Sequence, residues 1–191
     1  MFSVRLRCRR RPRSVAIETT THTGLRDRAL LGLLAYTFAR IGAVVNLKVE
    51  DYYPSGKRFL LRFKEKGGKE HEMPAHHEIE DTIDEYLARV SIEDKQPLFQ
   101  SVNKAGTALS GRALNRHNAW TAIRKRARNA GFLTPVGCHT WRATGVTVYL
   151  ENGGRLEHAQ QMAAHESPRT TKLYDRTKDE ITIDEVERIQ L

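Results

Sequence analysis

The spacing of hydrophobic positions along this chain changes more than once, and each change marks an element. In "GLRDRALLGLLAYTFAR" (24–40), Leu30, Leu33, Leu34 and Phe38 recur at helical spacing, so this stretch is expected to be a helix that Arg40 ends. A short helix, "IGAVVNL", follows. From 49 to 74 the period falls to two: Phe59, Leu61 and Phe63 alternate with Arg58, Leu60, Arg62 and Lys64. "PSG" and "KGG" supply turns, so the segment reads as an antiparallel sheet of two or three strands.

Helical spacing then returns. Helices are expected over 77–90, over 111–131 with Ser110 as N-cap, and over about 139–151 and 156–164. Ser167 as N-cap and Pro168 at the first helical position open another short one. "TIDEVERIQL" closes the chain as a helix, with Ile183, Val186 and Ile189 in a narrow apolar stripe flanked by Asp184, Glu185 and Glu187. Trp120 and Trp141 read as core residues. The pattern predicts a mostly α domain with one small antiparallel β-sheet (α+β), a single domain over 21–191.

Charge changes the picture. The net charge is +9 in 191 residues, which points to a polyanionic partner. Residues 1–14 carry six arginines and no acid, and no apolar stretch follows as a secretory signal would require. Residues 1–20 are therefore expected to be a basic arm without regular structure, suited to nucleic acid. Only Cys8 and Cys138 occur, without metal-ligand spacing, which fits a reducing cytoplasm. No apolar run approaches the roughly 18 residues of a membrane span.

Candidate chemistry starts from absences. There is no GxxxxGK[ST] loop for nucleotide phosphates, and "AHHEIED" sets His76 and His77 side by side on a solvated helix start rather than in HExxH spacing. No metal site is expected. What remains is a series of separate cations and one phenol: Arg40 in "FARIG", Lys66 in "KEKGGKE", His139 and Arg142 one helical turn apart in "CHTWRATG", His165 in "MAAHESP", Tyr174 in "KLYDR". Each alone has an innocent reading. Their order and spacing do not: Arg142 to His165 is 23 residues and His165 to Tyr174 is nine.

Over residues 24–191 this arrangement resembles the tyrosine recombinase (phage integrase) family. "GLRDRALLGLLAYTFARIGAVVNLKVED" is similar to its first box, "EKGGKEHEMP" to its lysine hairpin, and "CHTWRATGVTVYLENGG…MAAHESPRTTKLYDR" to its second box. The resemblance implies an integrase catalytic-domain fold and cleavage and rejoining of double-stranded DNA through a 3′-phosphotyrosyl bond at Tyr174. A tyrosine hydroxyl, with an ordinary pKa near 10, needs a positive, preorganised site to attack a phosphodiester. Arg40 and Arg142 would hold the nonbridging oxygens by their planar forks. His139 and His165 would add hydrogen bonds, His139 also accepting the tyrosine proton, and Lys66 would protonate the departing 5′ oxygen. Neither ATP, metal nor other cofactor is implied.

DNA holding is a separate matter. Residues 112–130 carry six lysines and arginines and no acid, while Ala119, Ile123 and Ala127 form an apolar stripe. The matching helix of the family lies on DNA, which makes Arg124, Lys125, Arg126 and Arg128 expected phosphate contacts. The family also implies self-association on DNA, as a synaptic tetramer, through the C-terminal helix.

The chain departs from the family pattern twice. Ala43 stands three positions after Arg40, where the family often has an acid. An N-terminal helical core-binding domain is normal there, whereas here only some twenty arginine-rich residues precede the catalytic segment. A truncated, catalytically silent DNA-binding remnant or regulator of a full-length recombinase is accordingly the alternative to an active enzyme.

Overall fold

The computed structural model describes residues 4–8, 11–15, 17–65, 68–103, 108–132 and 135–175, with side chains from residue 17 onward. Where the arm was expected to lack structure, β1 (Val4–Cys8) and β2 (Arg11–Val15) pair antiparallel, with Val4 opposite Val15.

Thr21 starts α1 (His22–Thr37), its hydroxyl accepting from the Gly24 N–H at 3.1 Å. The helix stops for a local reason. The Thr37 hydroxyl donates to the Leu33 carbonyl at 2.6 Å and accepts from the Ala39 N–H at 3.2 Å, while Phe38 takes a left-handed φ of 55°. Arg40 therefore does not end α1 as expected; it is the N-cap of α2 (Ile41–Val45).

Nor is α1 buried on one face only. Leu25, Ala29, Leu30, Leu31, Leu33 and Leu34 are each at most 1% exposed. The helix packs against both α3 (His77–Arg89) and α5 (Cys138–Glu151), which makes it the central rod of the core. His76 caps α3, its Nδ1 accepting from the Glu78 N–H at 3.2 Å. Between α1 and α5 the approach is so close that a Cβ on Gly145 would sit 2.1 Å from the Ala35 carbonyl oxygen and 2.7 Å from the Phe38 ring.

The period-two segment forms β3 (Tyr52–Ser55), β4 (Arg58–Lys64) and β5 (Glu70–Pro74), antiparallel in that order. Tyr52 lies opposite Leu61, and Phe63 opposite His71. Leu61 and Phe63 point inward and are wholly buried, as the alternation predicts.

A second ladder, β6 (Gln100–Val102) with β7 (Leu109–Ala113), was not expected. It takes the start of the segment assigned to the 111–131 helix. Gly111, at φ 73°, cannot lie within a helix, and Asn115 rather than Ser110 caps α4 (Arg116–Asn129), accepting from the Asn118 N–H at 2.7 Å. Ala119, Ile123 and Ala127 are buried as the stripe on α4 predicts. Trp120, one residue round the helix from that stripe, is 40% exposed and is not a core residue; Trp141 is fully buried.

The chain then runs through α6 (Leu156–Met162) and α7 (Pro168–Lys172), the latter capped by Ser167 as expected. Phe38, Val146, Leu150, Ala159 and Ala163 form a second, smaller apolar cluster, against which the half-buried Tyr174 packs. Among the described residues no helix is long and apolar enough to cross a membrane. The expected C-terminal helix lies outside the described residues.

Candidate active site

The start of α2, the end of β4, the first turns of α4 and α5, and the segment from α6 to Tyr174 surround a cleft of about 720 Å³. Arg40, His139, Arg142, His165 and Tyr174 all line it. Five of the six expected catalytic residues thus meet from distant parts of the sequence, and Lys66 lies outside the described residues.

Arg142 is the deepest of them, 4% exposed. Its Nη1 donates to the Phe38 carbonyl, and its Nη2 donates to the Ala163 carbonyl at 2.5 Å. Both acceptors belong to left-handed breaks in the chain, at Phe38 itself and just before Ala164 (φ 46°). A guanidinium has five N–H donors, so three remain for a ligand. Burial, and then the Arg40 charge, lower the Arg142 pKa to about 10, which leaves it cationic at neutral pH.

Arg40 is more open. Its Nη1 pairs with Glu65 Oε2 at 2.8 Å, and its Nη2 donates to the Ala164 carbonyl at 3.1 Å. Neighbouring carbonyls of one turn, Ala163 and Ala164, therefore seat the two arginines.

His165 follows directly. Its Nδ1 shares a hydrogen bond of 2.8 Å with the buried Thr171 hydroxyl, and its ring stacks on Tyr174 with centroids 6.0 Å apart and planes at 9°. Burial first, then the charges of Arg142, Arg40 and His139, hold its pKa down to about 4, so the ring is neutral at physiological pH. The exposed His139 shares a 3.1 Å hydrogen bond between its Nε2 and the Tyr174 hydroxyl. Chemically, the cleft can surround a tetrahedral anion with fixed donors while a phenol stands next to a base.

Sequence reasoning missed two members of this site. Glu65 carries the carboxylate next to Arg40, and its signal was the β4 alternation: Leu61, Phe63 and Glu65 share the inward side. Arg116, at the first turn of α4, also lines the cleft and lies so close to α2 that a Cβ on Gly42 would be 2.8 Å from its guanidinium. No periodicity marks it.

The α4 cations divide. Lys125 and Arg128 are exposed, and Arg124 stacks its guanidinium 4.6 Å above the Trp120 ring. Arg126 instead pairs with Asp27 at 2.9 Å; Asp27 also binds the buried Arg26, which donates to the Gln100 carbonyl at 2.9 Å. Arg126 is thus committed to joining α4 to α1 rather than left free on the surface.

Fold and cleft together define a class: an α+β domain whose tyrosine sits among two arginines and two histidines at one cationic cleft. The model of the phage integrase family matches residues 13–180, and the chain belongs to that family. It is 33% identical over 161 residues to tyrosine recombinase XerD of Corynebacterium glutamicum, covering 82% of this chain and 50% of that one. Against XerD of Mycobacterium leprae it is 32% identical over 152 residues, covering 78% and 48%. The chain spans about half the length of the curated relatives it matches.

Solved structures share the fold. XerH site-specific recombinase bound to difH substrate, in a pre-cleavage complex, aligns with a TM-score of 0.68 at 20% identity, covering 90% of this chain and 48% of that one. A lambda integrase dimer bound to a COC′ core site aligns with a TM-score of 0.60 at 16% identity, covering 87% and 58%.

Proposed function

We propose that this chain is the catalytic domain of a site-specific tyrosine recombinase that binds double-stranded DNA in the cytoplasm and cleaves and rejoins it through Tyr174. The observation that carries the reading is the 3.1 Å approach of the Tyr174 hydroxyl to His139 Nε2, beside a pair of arginines with free donors. In this mechanism Arg40 and Arg142 hold the nonbridging oxygens of the scissile phosphate and take up the charge that grows there. His139 accepts the phenolic proton as Tyr174 attacks phosphorus. The bond from phosphorus to the 5′ oxygen breaks, and a 3′-phosphotyrosyl bond keeps its energy for rejoining.

His165 acts as a neutral donor. In this mechanism the Thr171 hydroxyl, 2.8 Å away, donates to Nδ1, which assigns the ring proton to Nε2. Lys66 is assigned on sequence alone, as the acid that protonates the leaving 5′ hydroxyl. Phosphates away from the cleft are held by Arg124, Lys125 and Arg128 of α4. Self-association on paired sites, through residues 180–191, completes the proposal.

The test is incubation with a nicked suicide substrate, followed by denaturing electrophoresis. The wild-type chain is expected to form a covalent protein–DNA adduct and Tyr174→Phe none. DNA binding without any adduct would favour the silent remnant instead.

A further inference from the structure

Arg40 is the exposed member of the arginine pair, and its anchor is in an unexpected place. Its side chain is 44% exposed, whereas the Glu65 carboxylate it binds at 2.8 Å is 5% exposed. Ala43, one turn along α2 from Arg40, presents only a methyl group to the same cleft. Two guanidiniums share this cleft, and the charge of Arg40 already depresses the Arg142 pKa. Without Glu65 only the Ala164 carbonyl would hold Arg40, and a guanidinium so loosely held loses more rotamer freedom when an anion recruits it.

Glu65 offers that anchor, and its charge is also felt by Arg142 and His71. Its second carboxylate oxygen, Oε1, is buried with no hydrogen-bond partner among the described residues. Beneath it the His71 ring, stacked on Phe63, likewise leaves Nε2 buried and unpartnered. Among the described residues the carboxylate therefore makes no side-chain hydrogen bond besides the one to Arg40. The backbone of Glu65 is bonded as well. Its N–H donates to the Lys69 carbonyl at 2.7 Å, and its carbonyl accepts from the Gly68 N–H at 3.3 Å. Gly68 and Lys69 are thus both tied by backbone bonds to the residue that holds Arg40.

We infer that Glu65 is the positioning residue for Arg40, supplying from the edge of the sheet the carboxylate that position 43 of α2 lacks. Its side chain holds the guanidinium, while its backbone bonds to Gly68 and Lys69 fix where that side chain starts at the end of β4. This assignment rests on the recombinase reading above.

Two readouts test it, on the full chain. The first is the single-turnover rate of adduct formation on a nicked suicide duplex, measured beside the affinity for that duplex. Glu65→Gln is expected to slow the rate by about 10- to 100-fold while affinity stays within about twofold, because the phosphate is still bound but poorly held. Placing Ala43→Glu in the Glu65→Gln background is expected to recover most of the rate, since the carboxylate returns from α2. The second readout is the Arg40 Nε–Hε signal in nitrogen-15 NMR spectra of the DNA-free protein. It should be sharp in wild type, broadened in Glu65→Gln and sharpened again in the double variant. A wild-type rate in Glu65→Gln, an unchanged Arg40 signal, or a rate loss that follows thermal stability and resists Ala43→Glu overturns the assignment. If the wild-type chain forms no adduct, the recombinase reading fails, and the Arg40 signal alone decides the role of Glu65.

Discussion

The hydroxyl of Tyr174 and Nε2 of His139 stand 3.1 Å apart across 35 residues of chain, while the imidazole of His165 stacks on the tyrosine ring. One histidine meets the oxygen that would react, and the other fixes the plane of the ring that carries it. Their roles therefore separate. His139→Ala is expected to slow adduct formation about 100-fold, the loss of one positioned base, without weakening DNA binding. Quenched-flow sampling of the adduct beside an equilibrium binding curve measures both, and an unchanged rate would remove His139 from the chemistry.

Arg142 is expected to behave differently from Arg40 when replaced. Arg142→Ala deletes two buried hydrogen bonds, to the Phe38 and Ala163 carbonyls, and should cost about 2–4 kcal/mol of stability as well as cleavage. Arg142→Lys should recover little, because a single ammonium nitrogen cannot replace the two separate donor nitrogens of the planar guanidinium fork. Urea unfolding of both variants checks this, and wild-type stability in Arg142→Ala would contradict the packing described.

The depressed His165 titration has a sign that can be followed. Between its folded value of about 4 and the ordinary 6.5, the unfolded chain carries a proton on this ring that the folded chain refuses. Stability therefore rises with pH across that window, and the contribution of His165 is level above it. Thermal melts in steps from about pH 4.5 to pH 7.5 should show a shallower slope for His165→Gln than for wild type. His71 and His76, both lowered by burial, keep the residual slope. Identical slopes in the two proteins would exclude the shift at His165.

Helix α4 offers a contrast within three residues. Lys125→Ala should reduce the salt dependence of DNA binding by about one ion and leave stability alone. Arg126→Ala should do the reverse, since it strands the 4%-exposed Asp27 side chain beside Arg26 alone. Binding isotherms at several salt concentrations, paired with melts, separate the two. A salt slope that falls with Arg126→Ala would mean that this arginine reaches DNA after all.

Much of this was legible in the sequence, and the failures have physical causes. The sheet β3–β5 could be read because alternation at Leu61 and Phe63 has a single meaning in a half-buried strand. That the five described candidates would line one cleft was legible only from their order as a set, since no local rule brings Arg40 to His165. The end of α1 was misplaced because its terminator is a side chain, Thr37, bonding back to Leu33, rather than a glycine or proline. The β6–β7 ladder escaped notice because each strand is short and β7 is largely exposed, which leaves no apolar alternation to read. Arg126 looked like its neighbours because its partner, Asp27, lies 99 residues away.

Exposure also ranks the site residues by how much the fold depends on them. Arg142 clamps the two left-handed breaks that shape the cleft, whereas His139 is exposed and Arg40 stands half open. On the proposed recombinase reading, a lineage that gave up strand transfer could discard His139 or the Tyr174 hydroxyl and keep a sound domain, but it could not discard Arg142 so cheaply. Surviving but inactive descendants of such a domain should therefore retain the buried arginine as a fossil of chemistry they no longer perform.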